Sequence, residues 1–261
     1  MKKTILTGIL LVVTCLLLFL AIMGNAGYVQ TAGMKKKLPI YSVDTNKKQV
    51  ALTFDAAWGN EDMSRILTIL KQHDVRAAFF VTGSFAQAYP EDIKLLLQNG
   101  HDLGSHGMRH KYMSKLSKEE CGREIMDLHE AVKKITGEEM ILFRPPYGDY
   151  DDEVIMAAEE CGYYPVQWSV DSLDWKDYGV SDIVSRVCTH KNLTGGAIIL
   201  CHVGAKYTAD ALEEMIVRLK QDGYEFVPVS ALIMRDNYHM DVTGKQIADE
   251  AGKAPDNAIE K

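Results

Sequence analysis

His106 and His110 lie four residues apart, a spacing at which two imidazoles on a helical turn face one way and can share a metal ion. The same spacing is common among ordinary surface histidines, so on its own it leaves both readings open. The other residues able to do chemistry are Asp55, Arg144, Asp171, Asp174 and His202. Together with His106, they fall just past the ends of five separate β-rich runs. In α/β folds that is where sites assemble. Charged residues that merely begin loops would explain one or two such placements, but five of Asp, His and Arg type are poorly explained that way. Alternation along the run 198–202 puts Ile198, Leu200 and His202 on one face. An apolar Leu200 beneath a histidine suits recognition of a small apolar group beside a proton donor, and plain core packing suits Leu200 equally well. In the first run Ala51, Thr53 and Asp55 share a face.

The elements that must position these groups are short. Runs at 49–54, 75–82, 101–105, 141–143, 164–170, 197–201 and 224–227 read as seven strands. Between most of them lie amphipathic stretches: Ile66, Leu67 and Leu70 form one helical face, Ile125, Leu128, Val132 and Ile135 another, and Met215, Ile216 and Leu219 a third. Gly100, Gly137, Gly162 and Gly223 fall where these helices would stop. Repeated strand–helix alternation means parallel strands, in a doubly wound sheet or a barrel.

The chain has 261 residues, 47% hydrophobic and 25% charged, with a net charge of -7. That excludes wholesale disorder, and the acidic balance argues against a nucleic-acid partner. The five cysteines are odd in number and irregularly spaced, as small buried apolar groups would be, although a disulfide is open. Residues 4–24 carry no charge, enough for a helix of ~31 Å against a hydrocarbon core of ~30 Å. Residues 1–24 are therefore expected to be a membrane anchor, with a cleaved signal peptide as the alternative. Residues 25–44 read as a linker, 45–235 as one domain and 236–261 as a polar, mobile tail.

Five segments occur in order: Thr53-Phe54-Asp55, Ser105-His106-Gly107-Met108-Arg109-His110, Arg144-Pro145-Pro146-Tyr147-Gly148, Asp171-Ser172-Leu173-Asp174-Trp175 and Leu200-Cys201-His202. The set resembles the polysaccharide deacetylase family, also called the NodB-homology or fourth carbohydrate esterase family, over about residues 45–235. The form Phe54-Asp55-Ala56-Ala57-Trp58-Gly59, with the apolar N-terminus, looks most like its sporulation-associated, membrane-anchored branch. The resemblance implies a distorted (β/α)7 barrel and metal-dependent removal of N-acetyl groups from a cell-wall glycan, peptidoglycan or a related N-acetylglucosamine polymer. It implies Asp55 as general base, Arg144 holding Asp55 ionised, and His202 as general acid tuned by Asp174. It further implies His106 and His110 as metal ligands, Leu200 against the acetyl methyl, the Tyr147 backbone N–H at the oxyanion, and Trp175 along the sugar groove. The domain is then expected on the extracytoplasmic side of the cell membrane, or secreted if the signal is cleaved.

One position departs from that pattern. The family's second adjacent aspartate, the third metal ligand, is Ala56 here. Water, Asp55 itself, or Glu61 or Asp62 from the next turn could fill the place, or the site could be catalytically impaired and serve glycan binding alone. Two imidazoles plus oxygen suit zinc best, with cobalt, nickel and iron as alternatives.

Overall fold

A computed structural model describes residues 36–249. The strands are β1 (Ser42–Val43), β2 (Gln49–Ala56), β3 (Ala78–Val81), β4 (Asp102–Ser105), β5 (Leu142–Phe143), β6 (Tyr164–Pro165), β7 (Val170–Asp171), β8 (Ile198–His202), β9 (Glu225–Phe226), β10 (Tyr238–Met240) and β11 (Lys245–Ala248). The helices are α1 (Met63–Gln72), α2 (Gly83–Ala88), α3 (Pro90–Gln98), α4 (Lys118–Thr136), α5 (Asp152–Glu160), α6 (Val180–Cys188), α7 (Thr208–Gln221) and α8 (Val229–Leu232).

β2 is buried on both faces and organises the sheet. Val50, Leu52, Phe54 and Ala56 pack in one cluster with Ile66 and Leu70 of α1 and Leu212 and Ile216 of α7. Ala51 enters a second cluster with Ala78, Phe80, Leu142, Val166 and Ile198, drawn from neighbouring strands. Strands covered on both sides belong to parallel sheets under helices. Eight strands pair in parallel, in the order β6-β5-β4-β3-β2-β8-β7, with β9 also on β2. The second cluster lies inside the curl of this sheet, and the first lies between sheet and helices. This is the α/β class with parallel strands that the alternation implied.

The run at 164–170, expected as one strand, divides into β6 and β7. Its middle carbonyls turn toward a buried cation: Val166 O accepts from Arg144 Nε at 3.4 Å and Gln167 O from Arg144 NH2 at 3.1 Å. The sheet thus ends at β6 on one side and β7 on the other. The chain before β2 reaches both β6 and the start of β8. The Ile40 N–H donates to Pro165 O (2.8 Å), Gln167 N–H donates to Ile40 O (2.7 Å), and Val43 N–H donates to Gly196 O (3.0 Å).

Two expected boundaries change. The last residues of the expected linker, from Ile40 to Val43, are built into the fold. Part of the expected mobile tail is also ordered, as β10 and β11 form a hairpin whose second strand pairs in parallel with β1. Polar composition hid this because polar groups hold it. Asp241 Oδ1 accepts from Thr243 N–H and Lys245 N–H in the turn, and the buried Gln246 amide bonds both the N–H and the carbonyl of Met234. Residues 250–261 and the expected anchor at 1–24 lie outside the described residues. Among the described residues no helix is long and apolar enough to cross a membrane.

The seam at Gly196 admits no side chain. Its φ is 83°, and a Cβ would sit 1.7 Å from the Val43 carbonyl oxygen. Gly196→Ala is expected to lower stability by about 2–4 kcal/mol, measured as a reduced urea midpoint. An unchanged midpoint would show that the segment before β2 does not brace the sheet.

Candidate active site

Parallel register brings the strand ends to one rim. Asp55 of β2 pairs directly with His202 of β8. Ser105 of β4 pairs with Phe143 of β5, so the residues that follow them, His106 and Arg144, emerge side by side.

Arg144 is fully buried. Its NH1 donates to Asp55 Oδ1 at 2.8 Å and to Thr53 Oγ1 at 2.9 Å, and its Nε and NH2 take the Val166 and Gln167 carbonyls. The guanidinium lies over the Phe80 ring, 4.0 Å from its centroid. A planar fork suits this set of fixed acceptors. Burial alone would raise the Asp55 pKa. The charges of Arg144, His106 and His202, with the Arg144 hydrogen bond, outweigh burial and hold it below the ordinary 3.8.

His106 Nδ1 is 2.8 Å from the Arg144 carbonyl, which can only accept, so Nδ1 carries the proton. Burial lowers its pKa to about 4, against the opposing pull of Asp55. The Nε2 lone pair then faces Asp55 Oδ2 at 3.5 Å. His110 stands beside it, with ring centroids 5.0 Å apart. Burial lowers the His110 pKa as well. The helical turn suggested by the spacing is absent. Residues 106–110 form a loop with φ of 76° at Gly107 and 52° at His110. Glu124 of α4, which sequence reasoning missed, holds that loop. Its fully buried carboxylate accepts from the Arg109 N–H at 2.7 Å and from Arg109 Nε at 2.5 Å, and its carbonyl accepts from Met108 N–H at 3.0 Å. The helical face of α4 had been read for its apolar members only.

His202 Nδ1 is 2.7 Å from Asp174 Oδ1. Asp174 Oδ2 accepts from the His202 N–H at 2.7 Å and from Thr208 Oγ1 at 2.6 Å. Burial disfavours the imidazolium, but the Asp174 hydrogen bond and charge, with Asp55 and Asp171 beyond, raise the His202 pKa above its ordinary 6.5. The indole of Trp58 stacks on the imidazole, with centroids 5.2 Å apart and planes 16° apart.

These groups border one cleft of about 470 Å³. Asp55, His106, His110, Tyr147, Trp175, Leu200 and His202, all expected from sequence, line it, and Arg144 and Asp174 stand behind it as bonded partners. Asp171, a strand-end group noted from sequence, also lines it, as do Trp58 and Trp168, whose contribution was not anticipated. Each lies within or beside a quoted segment, but nothing in residue type told the wall from the loop.

Ala56 is fully buried in the apolar layer between sheet and helices. Neither Glu61 nor Asp62 lines the cleft, and Asp62 Oδ1 instead accepts from the Gly204 N–H at 2.8 Å. Among the described residues no group of three or more His, Cys, Asp or Glu is arranged to hold a metal. Two of the donors nevertheless suit a cation. A neutral Nε2 and an ionised Oδ2 facing each other at 3.5 Å are both acceptors, and a cation between them satisfies both. His106, His110 and Asp55 therefore match a divalent metal in donor type. The carboxylate charge is already shared with Arg144, which weakens its pull on a cation.

Arg144→Met is expected to destabilise the fold by about 3–5 kcal/mol near neutral pH, because it strands a buried carboxylate. In urea titrations the loss should shrink as pH falls and Asp55 takes up a proton. A loss independent of pH would show that the cation serves packing alone.

A family model described as polysaccharide deacetylase matches residues 42–166. A peptidoglycan-N-acetylglucosamine deacetylase of Bacillus cereus is 37% identical over 198 residues, covering 74% of this chain and 92% of that protein. The peptidoglycan-N-acetylmuramic acid deacetylase PdaC of Bacillus subtilis is 37% identical over 191 residues, covering 73% of this chain and 40% of that longer protein. Among solved structures, a pseudoenzyme of carbohydrate esterase family 4 from Bacillus anthracis superposes with a TM-score of 0.71 at 32% identity, covering 80% of this chain and 70% of that one. At this identity and coverage, the chain belongs to the polysaccharide deacetylase family.

Proposed function

We propose that this protein hydrolyses N-acetyl groups on a cell-wall polysaccharide, peptidoglycan or a related N-acetylglucosamine polymer, on a scaffold read as a distorted (β/α)7 barrel. One observation carries the reading. A carboxylate whose pKa is lowered by Arg144 and an imidazole whose pKa is raised by Asp174 are adjacent in register at the mouth of one cleft. A base with a lowered pKa beside an acid with a raised one is the arrangement that amide hydrolysis requires.

Asp55 takes the proton of a water molecule as its oxygen attacks the acetyl carbonyl carbon. His202 donates its proton to the amide nitrogen as the C–N bond breaks, leaving acetate and a free amine. Tyr147, with φ of 61°, turns the backbone at the cleft edge, where its N–H would meet the developing oxyanion. Leu200 presents an apolar floor for the acetyl methyl, and Trp175 forms a wall for the sugar. His106 and His110, with Asp55, would hold a divalent metal, zinc best among the candidates, which when bound polarises a carbonyl and acidifies water. The uncharged run at 4–24 supports a membrane anchor or a signal peptide, the cell-wall substrate supports the extracytoplasmic side, and the Ala56-Ala57-Trp58 form supports the sporulation-associated branch.

Ala56 favours a second reading, an impaired enzyme that binds glycan without cleaving it. The pseudoenzyme neighbour lends it weight, as does a mutant of that protein described as having restored enzymatic activity (TM-score 0.71, 33% identity). Acetate release from peptidoglycan and from N-acetylglucosamine oligomers separates the two. Deacetylation is expected with added zinc or cobalt, falling by about 10²–10⁴-fold in Asp55→Asn and in His202→Ala. Glycan binding without acetate under every metal condition would establish the second reading.

The pH profile is a further check. Activity should hold from the acid side where His106, its pKa lowered to about 4, and His110 lose their protons and can serve as ligands, to above 6.5, where His202 loses its own. Asp174→Asn should move the alkaline limb downward and leave the acid limb in place. An unmoved alkaline limb would remove His202 from the role of acid.

A further inference from the structure

The aromatic side chains exposed among the described residues are Trp58, Tyr112, Tyr147, Trp175 and Tyr178. Trp58, Tyr147 and Trp175 line the cleft. Tyr178 follows Trp175 by three residues. Tyr112 stands outside the cleft lining, yet its ring stacks on that of Tyr147, with centroids 4.2 Å apart and planes 16° apart. Tyr147 in turn meets His110, 4.5 Å between centroids. Rings therefore run from His106 through His110 and Tyr147 to Tyr112, outward from the reacting groups.

The mount of Tyr112 is rigid. The next residue, Met113, is fully buried and anchors the turn 113–115. Ser114 then ties that turn to the one bearing Tyr147: its N–H donates to Asp149 Oδ2 and its hydroxyl to Asp149 Oδ1, both at 2.8 Å. An exposed ring on a mobile loop carries no message. An exposed ring braced at two points beside a substrate cleft, with one face given to Tyr147, has an ordering cost already met before any ligand arrives.

We propose that Tyr112 is a substrate-binding residue. Its open ring face forms an outer subsite that stacks on the sugar adjoining the one held in the cleft. This rests on the glycan-deacetylase reading and extends it: the protein would favour residues within a chain over short fragments. A pyranose suits the place because its axial C–H faces are apolar while its hydroxyls stay at the rim in water, and an aromatic ring with one face in solvent offers the matching surface. The stack meets the cleft on the His110 side, which gives the bound chain a direction across the rim.

The test is chain-length dependence in the full-length protein. Turnover and binding would be measured with the monomer and the hexamer of N-acetylglucosamine, for the unaltered chain, Tyr112→Ala and Tyr112→Phe. The unaltered chain should prefer the hexamer. Tyr112→Ala should lower the hexamer-to-monomer ratio of kcat/KM about tenfold, through KM rather than kcat. Tyr112→Phe keeps the ring and should restore the ratio. An unchanged ratio in Tyr112→Ala, including an equal loss on both substrates, would overturn the subsite and leave Tyr112 a support for Tyr147. Absence of both turnover and binding in the unaltered chain would overturn the glycan reading itself, and the subsite with it.

Discussion

The buried pair of Asp55 and Arg144 is the constraint on which the rest of the structure depends. Two charges withdrawn from water cost several kcal/mol each unless their hydrogen-bonding groups are met. The fold meets the guanidinium with four acceptors from two segments. The Asp55 carboxylate and the Thr53 hydroxyl come from β2, and the Val166 and Gln167 carbonyls from the chain beyond β6. That demand divides the run into β6 and β7 and opens the sheet there, while the chain before β2 bonds Pro165 and Gln167 through Ile40 and Gly196, just before β8, through Val43. A catalytic requirement, a carboxylate kept ionised out of bulk water, is thus also a topological one.

The same logic of fixed partners extends around the rim. Asp174 is satisfied by the ring and backbone of His202 and by Thr208, so its charge is aimed at one imidazole. Glu124 is satisfied by the Arg109 backbone and side chain, so its charge shapes the loop that turns His106 and His110 together. Each functional side chain is held by a buried group behind it that substrate does not reach. Such preorganisation keeps the geometry from depending on ligand.

Ala56 separates two properties that usually go together. The acid–base pairs are complete, while the donor set for a cation falls short of three convergent side chains outside the Arg144 pair. The acceptor pair of His106 Nε2 and Asp55 Oδ2 retains a demand for positive charge, which a metal or a proton can meet. Proton transfer and metal affinity in this protein therefore draw on one carboxylate, Asp55.

Much of this was legible in order along the chain. Alternating strands and helices gave parallel pairing, and parallel pairing gave a common rim for Asp55, His106, Arg144, Asp174 and His202, because strand direction is a local property that register merely aligns. Other features were not legible. The run 164–170 looks like one strand, and only the guanidinium that captures its carbonyls divides it. The stretch from Asp236 onward looks like solvent-facing chain, and only pairing with β1 orders its first part. Glu124, Trp58 and Tyr112 look like surface residues of their types. The sequence by itself determined the class of fold, the chemistry available and the strand ends where it gathers, since these follow from periodicity and residue type. Tertiary structure alone decided which polar groups became buried partners and which aromatic faces stayed open. Those outcomes depend on contacts between residues tens of positions apart, and no local pattern records them.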